Sequence, residues 1–213
     1  MYINQAHRYP FDLVLPNDYQ QGIAAFPLIF FLHGRGECGA NLELVRRHGP
    51  PKLAHSPPKP AFLDSFIVLS PQCPEGENWS AGPLTALLDR AVKDLRVDQN
   101  RIYLTGISMG GYGAWHLALE QPSRFAALCP ICGGGDPRRA DRLQNMPIWM
   151  FHSAGDGVVP VSESDQMFAA LQRCQANVTY TRYRDLDHVQ TWEDAYRYPM
   201  LYEWFLRHSR NVA

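Results

Sequence analysis

The sequence lacks what would send it to a membrane, a nucleic acid or a disulfide framework. Apolar runs such as Phe26 to Leu32 fall well short of the ~20 residues a bilayer-spanning helix requires. Residues Met1 to Arg8 lack the apolar core of a secretory signal. Lysine and arginine, 20 together, are matched by 21 acidic residues and form no basic stripe, which argues against a nucleic-acid partner. The cysteines, Cys38, Cys73, Cys129, Cys132 and Cys174, are an odd set without framework spacing. Cys129-Pro-Ile-Cys132 reads as CxxC, but neither a second pair nor a histidine pair completes a zinc site, and its apolar surroundings mark a buried strand. The expectation is a cytoplasmic protein with reduced thiols, no metal, no cofactor and no membrane span. No repeat, linker or low-complexity tract interrupts the 213 residues, so 1–213 read as one domain.

What is present alternates between apolar runs and amphipathic stretches, the pattern of an α/β protein whose mostly parallel central sheet carries helices on both faces. Leu28 to Leu32 and Phe66 to Leu69 are continuous apolar runs, as strands buried on both faces require. Tyr9 to Leu15 alternates and reads as a more exposed strand. Arg101 to Ile107, Ala126 to Cys132, Ile148 to Phe151 and Val178 to Tyr183 complete the set. Leu84, Leu87, Leu88, Ala91, Val92 and Leu95 fall on one stripe of one helix. Met167, Phe168 and Leu171 mark another helix, and Leu201, Trp204 and Phe205 a closing one. Gly49 to Pro60, rich in proline, reads as loop. Only Gly133 to Pro147 separate two consecutive strands, too little for an inserted lid domain, so an open, shallow site is expected.

Gly106-Ile107-Ser108-Met109-Gly110 follows the β-branched run Arg101 to Thr105 and precedes a helix-compatible stretch, Tyr112 to Glu120. Strand, tight turn with serine at its apex, then helix is the context in which Gly-x-Ser-x-Gly makes a nucleophile. A serine hydroxyl needs a base within hydrogen-bond reach, and the base needs an acid to fix its tautomer. Asp156, just past the Ile148 to Phe151 strand in a small-residue loop, stands where catalytic groups gather at the carboxyl edge of open sheets. A turn or helix-cap aspartate is its plainer reading, and Asp185 and Asp187 are the other acids within range. Among eight histidines, His188 follows the last strand and can return over the sheet edge to Ser108. His7 and His208 lie near the termini, and His48 and His55 lie in the proline-rich region. His116 sits inside the helix after the serine and is expected to point away. His152 is only four residues before Asp156.

The oxyanion of an acyl-transfer intermediate needs two N–H donors. Met109 N–H, next after the serine, is one. The loop His33-Gly34-Arg35-Gly36-Glu37-Cys38-Gly39 supplies the other, through Arg35 N–H. This loop has neither phosphate-loop spacing, GxxxxGK[ST] nor GxGxxG. His33 reads as a residue that orients the loop. Trp79, in a loop before the Leu84 helix, either lines the acyl or alcohol pocket or anchors its loop. Trp192 is a second candidate for the pocket, or a brace for the His188 loop.

These stretches, together with Ser70-Pro71-Gln72-Cys73-Pro74 and His188-Val-Gln-Thr-Trp192-Glu-Asp-Ala-Tyr196, resemble the α/β-hydrolase superfamily. Within it, the chain resembles the compact carboxylesterase/phospholipase-like esterases related to dienelactone hydrolase, over roughly residues 9 to 207. The resemblance implies an α/β-hydrolase fold and Ser108, Asp156 and His188 as catalytic triad, in the chain order reached above. Dienelactone hydrolases proper use cysteine where this chain has Ser108, and many relatives carry a signal peptide. The expected activity is hydrolysis of short or exposed carboxylic esters through an acyl-enzyme. Thioester or lysophospholipid cleavage and acyl transfer by the same groups are alternatives, and a non-catalytic binding module is a third reading.

Overall fold

The computed structural model describes residues 8–210, so most of the Met1 to Arg8 segment, His7 included, lies outside the described residues. Seven strands among them form one sheet. In chain order they are β1 (Phe11–Val14), β2 (Phe26–Leu32), β3 (Ile67–Pro71), β4 (Val97–Ile107), β5 (Ala127–Ile131), β6 (Ile148–Ser153) and β7 (Val178–Tyr183). The sheet order is β1-β3-β2-β4-β5-β6-β7; β1 pairs antiparallel with β3, and every other pairing is parallel. The helices are α1 (Gly49–His55), α2 (Ala81–Asp94), α3 (Met109–Glu120), α4 (Ser162–Arg173), α5 (His188–Arg197) and α6 (Pro199–Leu206).

The continuous apolar runs are central strands because both faces of the sheet are covered. Every residue of β2, β3 and β5 is buried. Along β2, Leu28, Phe30 and Leu32 join a core with α2, α3 and α4, including Leu84, Leu88, Trp115 and Met167. Ile29 and Phe31 point the other way, into a core with Trp192, Tyr196, Tyr202 and Phe205 of α5 and α6. Each such fully buried aliphatic or aromatic side chain contributes about 1.5–3 kcal/mol relative to exposure. The edge strands β1 and β7 are only partly buried. No helix among the described residues is long and apolar enough to cross a membrane.

One expectation fails. The proline-rich stretch from Gly49 holds α1, not loop alone. Pro50 and Pro51 occupy its first turn, where a missing N–H breaks no helical bond. Gly49 enters the helix at φ +64°, and a Cβ there would come within 2.6 Å of the Phe31 ring. Lys52 of α1 then pairs with Glu193 of α5 at 2.8 Å, tying the helix to the layer that carries His188. Between β5 and β6 lie only loops and a 3-10 stretch, Pro137–Leu143.

Candidate active site

Ser108 is the single residue between β4 and α3, at φ 53° and ψ −119°. Such a conformation costs a non-glycine residue about 1–3 kcal/mol, so its surroundings must hold it. Its N–H donates to Ile131 O (2.9 Å) and its carbonyl accepts from Tyr112 N (3.1 Å). The flanking glycines are demanded by close approach. A Cβ on Gly110 would overlap the Leu32 carbonyl, and one on Gly106 would overlap that of Gly110. Helix α3 thus starts with its backbone against the end of β2, and the hydroxyl is left at the sheet's carboxyl edge.

His188 and Asp156 meet Ser108 there. His188 opens α5, with Nε2 2.9 Å from Ser108 Oγ and Nδ1 2.5 Å from Asp156 Oδ2. The loop after β6 presents Asp156, whose Oδ1 accepts from Val158 N and Val159 N at 2.9 Å each. Burial works against its charge. The N–H groups of Val159 and Val158 and the His188 ring outweigh burial and hold the carboxyl below the usual range. Asp187 is occupied elsewhere: it caps α5, accepting from Gln190 N at 2.7 Å, while its own N–H donates to Gln190 Oε1. Asp185 makes no bond to His188.

The loop after β2 runs against the serine. A Cβ on Gly34 would lie 3.6 Å from that of Ser108. Arg35 begins a 3-10 turn (Arg35–Glu37) and Met109 begins α3, so neither N–H has an intrahelical carbonyl to satisfy. His33 anchors this loop. Its Nε2 accepts from Cys73 N (2.9 Å) and its Nδ1 lies 2.5 Å from Gly34 O. Burial lowers its pKa to about 4.

A cleft of about 330 Å³ lies over Ser108 and Met109, walled by Arg35, Asn78, Trp79, Tyr112 and His116. Arg35 Nη2 donates to Asn78 Oδ1 at 2.6 Å, which holds the guanidinium at the rim. Trp79 does both things considered for it: it lines the cleft, and its indole N–H anchors to His33 O at 3.1 Å. Two expectations need correcting. Trp192 does not line this cleft; four residues after His188 on α5, it stands edge-on to that imidazole at 4.7 Å, 5% exposed, as a brace. His116 does not point away; with Tyr112 it forms the exposed i, i+4 face of α3 that walls the cleft. That spacing was the available signal for both residues.

The CxxC cysteines are buried, and all five thiols are free. Burial pushes Cys129 up to about 12. It raises Cys132 too, with Asp156 adding to the effect. The Cys132, His152 and Asp156 donor atoms do cluster within 4.8 Å, but Asp156 Oδ2 already faces two imidazoles.

Comparison with known proteins agrees with this architecture. The phospholipase/carboxylesterase family model matches residues 69–195. A bifunctional acetylxylan esterase/xylanase of Neocallimastix patriciarum is 28% identical over 141 residues, covering 62% of this chain and 20% of that protein. A probable feruloyl esterase C of Aspergillus clavatus is 29% identical over 181 residues, covering 78% and 62%. The chain thus spans less than two thirds of the length of these curated relatives. A thermostable esterase of known structure superposes with a TM-score of 0.84 at 34% identity, over 95% of this chain and 60% of that one. A ferulic acid esterase shares the fold at 16% identity, with TM-score 0.67 and 91% of each chain covered. With its strand order, serine elbow and family match, the chain belongs to the phospholipase/carboxylesterase family of α/β-hydrolases.

Proposed function

We propose that this protein is a serine hydrolase of carboxylic esters. The observation that carries the reading is the unbroken chain from Ser108 Oγ to His188 to Asp156, at 2.9 and 2.5 Å, on a strained elbow at the start of α3. Ser108 Oγ attacks the ester carbonyl while His188 Nε2 takes its proton. Asp156 holds the ring with Nδ1–H toward itself and stabilises the imidazolium that forms. The Arg35 and Met109 N–H groups receive the oxyanion, each worth about 2.7–4 kcal/mol of barrier. His188 returns the proton to the departing alkoxide. It then removes one from water as that water attacks the acyl carbon, and hands it to Ser108 Oγ as the acid leaves, restoring the free enzyme.

The cleft volume is at the small end of ligand sites, about 300–1,000 Å³, which favours compact esters. The similarity to acetylxylan and feruloyl esterases fits acyl groups of that size, small acetyl or single-ring aromatic. Thioesters, or an alcohol acceptor in place of water, would use the same groups. Five free thiols suit a reducing compartment such as the cytoplasm. The reading predicts turnover of p-nitrophenyl acetate by the wild type and its collapse in Ser108→Ala; full turnover by that variant would overturn it.

A further inference from the structure

The steps above leave one buried titratable ring idle at the back of Asp156. His152 lies at the end of β6 with its side chain fully buried. Its Nδ1 is 2.7 Å from Ser164 Oγ of α4. Its Nε2 is 3.1 Å from Val159 O and 3.2 Å from Asp156 Oδ2. Nε2 faces only acceptors, so it must carry the hydrogen; the other neutral tautomer would press a lone pair against two oxygens. At Nδ1 the Ser164 hydroxyl lies between the ring and the Gly133 carbonyl, 2.7 Å from the one and donating to the other at 2.9 Å.

This assignment completes a small closed structure. Val159 is held at both ends: its N–H donates to Asp156 Oδ1 and its carbonyl accepts from His152. Asp156 thereby accepts from three N–H groups, those of Val158 and Val159 at Oδ1 and that of His188 at Oδ2, with the His152 ring 3.2 Å from Oδ2 as a further polar contact. We infer that His152 is a positioning residue for the acid of the triad. Its Nε2–H donates to Val159 O and so fixes the loop whose N–H groups hold Asp156 Oδ1, while the ring edge lies 3.2 Å from Oδ2; together these hold the carboxylate rotamer that His188 requires. The inference rests on the triad reading. The titratable groups that face the ring are Asp156, His188 and the Cys132 thiol at the end of β5. Burial keeps that thiol protonated and the His152 ring neutral, so the imidazole acts as a fixed donor and not as a second base.

The clamp also withdraws charge. An N–H dipole 3.2 Å from Oδ2 offsets part of the carboxylate's negative potential, and its removal makes the Asp156–His188 pair hold a proton more firmly. The test compares His152→Phe and His152→Gln in the wild-type and Asp156→Asn backgrounds, with p-nitrophenyl acetate and circular dichroism as the check of folding. His152→Phe is expected to lower kcat about 10- to 100-fold, the range for residues that orient another functional group. KM stays within about twofold, and the acid limb of kcat/KM moves to higher pH, which loss of packing alone does not produce. His152→Gln, whose amide can return an N–H, recovers most of kcat. In Asp156→Asn, His152→Phe adds no further loss, because the two act as one unit.

A folded His152→Phe with wild-type kcat and an unmoved acid limb would overturn the inference, and so would the same fold-loss in the Asp156→Asn background. If His152→Phe does not fold, Ser164→Ala decides. It keeps the imidazole but removes the hydroxyl that holds the ring at Nδ1, so the ring is no longer fixed against Val159 and Asp156; a reduced kcat with a shifted acid limb supports the clamp, and unchanged values refute it. Wild-type turnover by Ser108→Ala would sink the triad reading itself, whatever the His152 variants do.

Discussion

Replacing His33 by glutamine turns the acid sensitivity of the fold into a measurable quantity. His33 is completely buried, and both ring nitrogens are engaged: Nε2 accepts from Cys73 N, and Nδ1 donates to Gly34 O. Protonating Nε2 sets a hydrogen against the Cys73 N–H, and burial disfavours the charge, so the folded pKa falls from 6.5 to about 4. The unfolded chain therefore binds a proton that the folded chain refuses between those values, and stability drops as pH falls through that window. A gap of about 2.5 pH units at about 1.4 kcal/mol each gives about 3 kcal/mol lost by pH 4 relative to pH 7.

Glutamine can offer an oxygen to Cys73 N but no hydrogen to Gly34 O, so His33→Gln should cost about 1–3 kcal/mol at pH 7.5. The gap between wild type and variant should then close, or reverse, by about 3 kcal/mol as pH approaches 4. Urea unfolding at half-unit steps from pH 7.5 to 4 reads both stabilities directly. Parallel stability curves for the two proteins would refute the reasoning, since the remaining titratable groups are common to both.

Asp156→Asn should reduce kcat by about 10⁴-fold, as amide replacement of a triad acid does. Asp187→Ala should instead cost about 1 kcal/mol of stability through loss of the α5 cap, at near wild-type kcat; the reverse pattern would move the acid to Asp187. Gly110→Ala forces a Cβ onto the Leu32 carbonyl and within 2.6 Å of His33 O, and backbone cannot step aside as side chains do. It should destabilise by about 3 kcal/mol, at the upper end of overpacking, and an unchanged melting temperature would count against the tight elbow.

Much of this arrangement is legible before any coordinates, for local reasons. Strand runs buried on both faces read as unbroken apolar stretches, so β2, β3 and β5 stand out. Gly106, Ser108 and Gly110 announce a turn whose backbone approaches its neighbours. Asp156 and His188 follow strands in a chain order that the topology carries to one sheet edge, where they meet Ser108. What stays hidden depends on direction and partner, not on pattern. Pro50 and Pro51 read as breakers although a first helical turn tolerates them. Whether Trp192 looks into the cleft or onto the back of His188 depends on the rotation of α5. His152 lies four residues before Asp156, but its meaning comes from Ser164 on α4 and Val159 in the next loop. The Lys52–Glu193 pair joins positions too far apart for any spacing rule.

The most direct test of the central claim is the reaction of Ser108 with a fluorophosphonate. Only an activated serine at a formed oxyanion site reacts quickly with such a reagent. The account predicts one phosphonyl group per folded chain, mapped to the peptide containing Ser108, abolished in Ser108→Ala and slowed by orders of magnitude in His188→Gln. No labelling of the folded protein, or labelling at a residue other than Ser108, would contradict it.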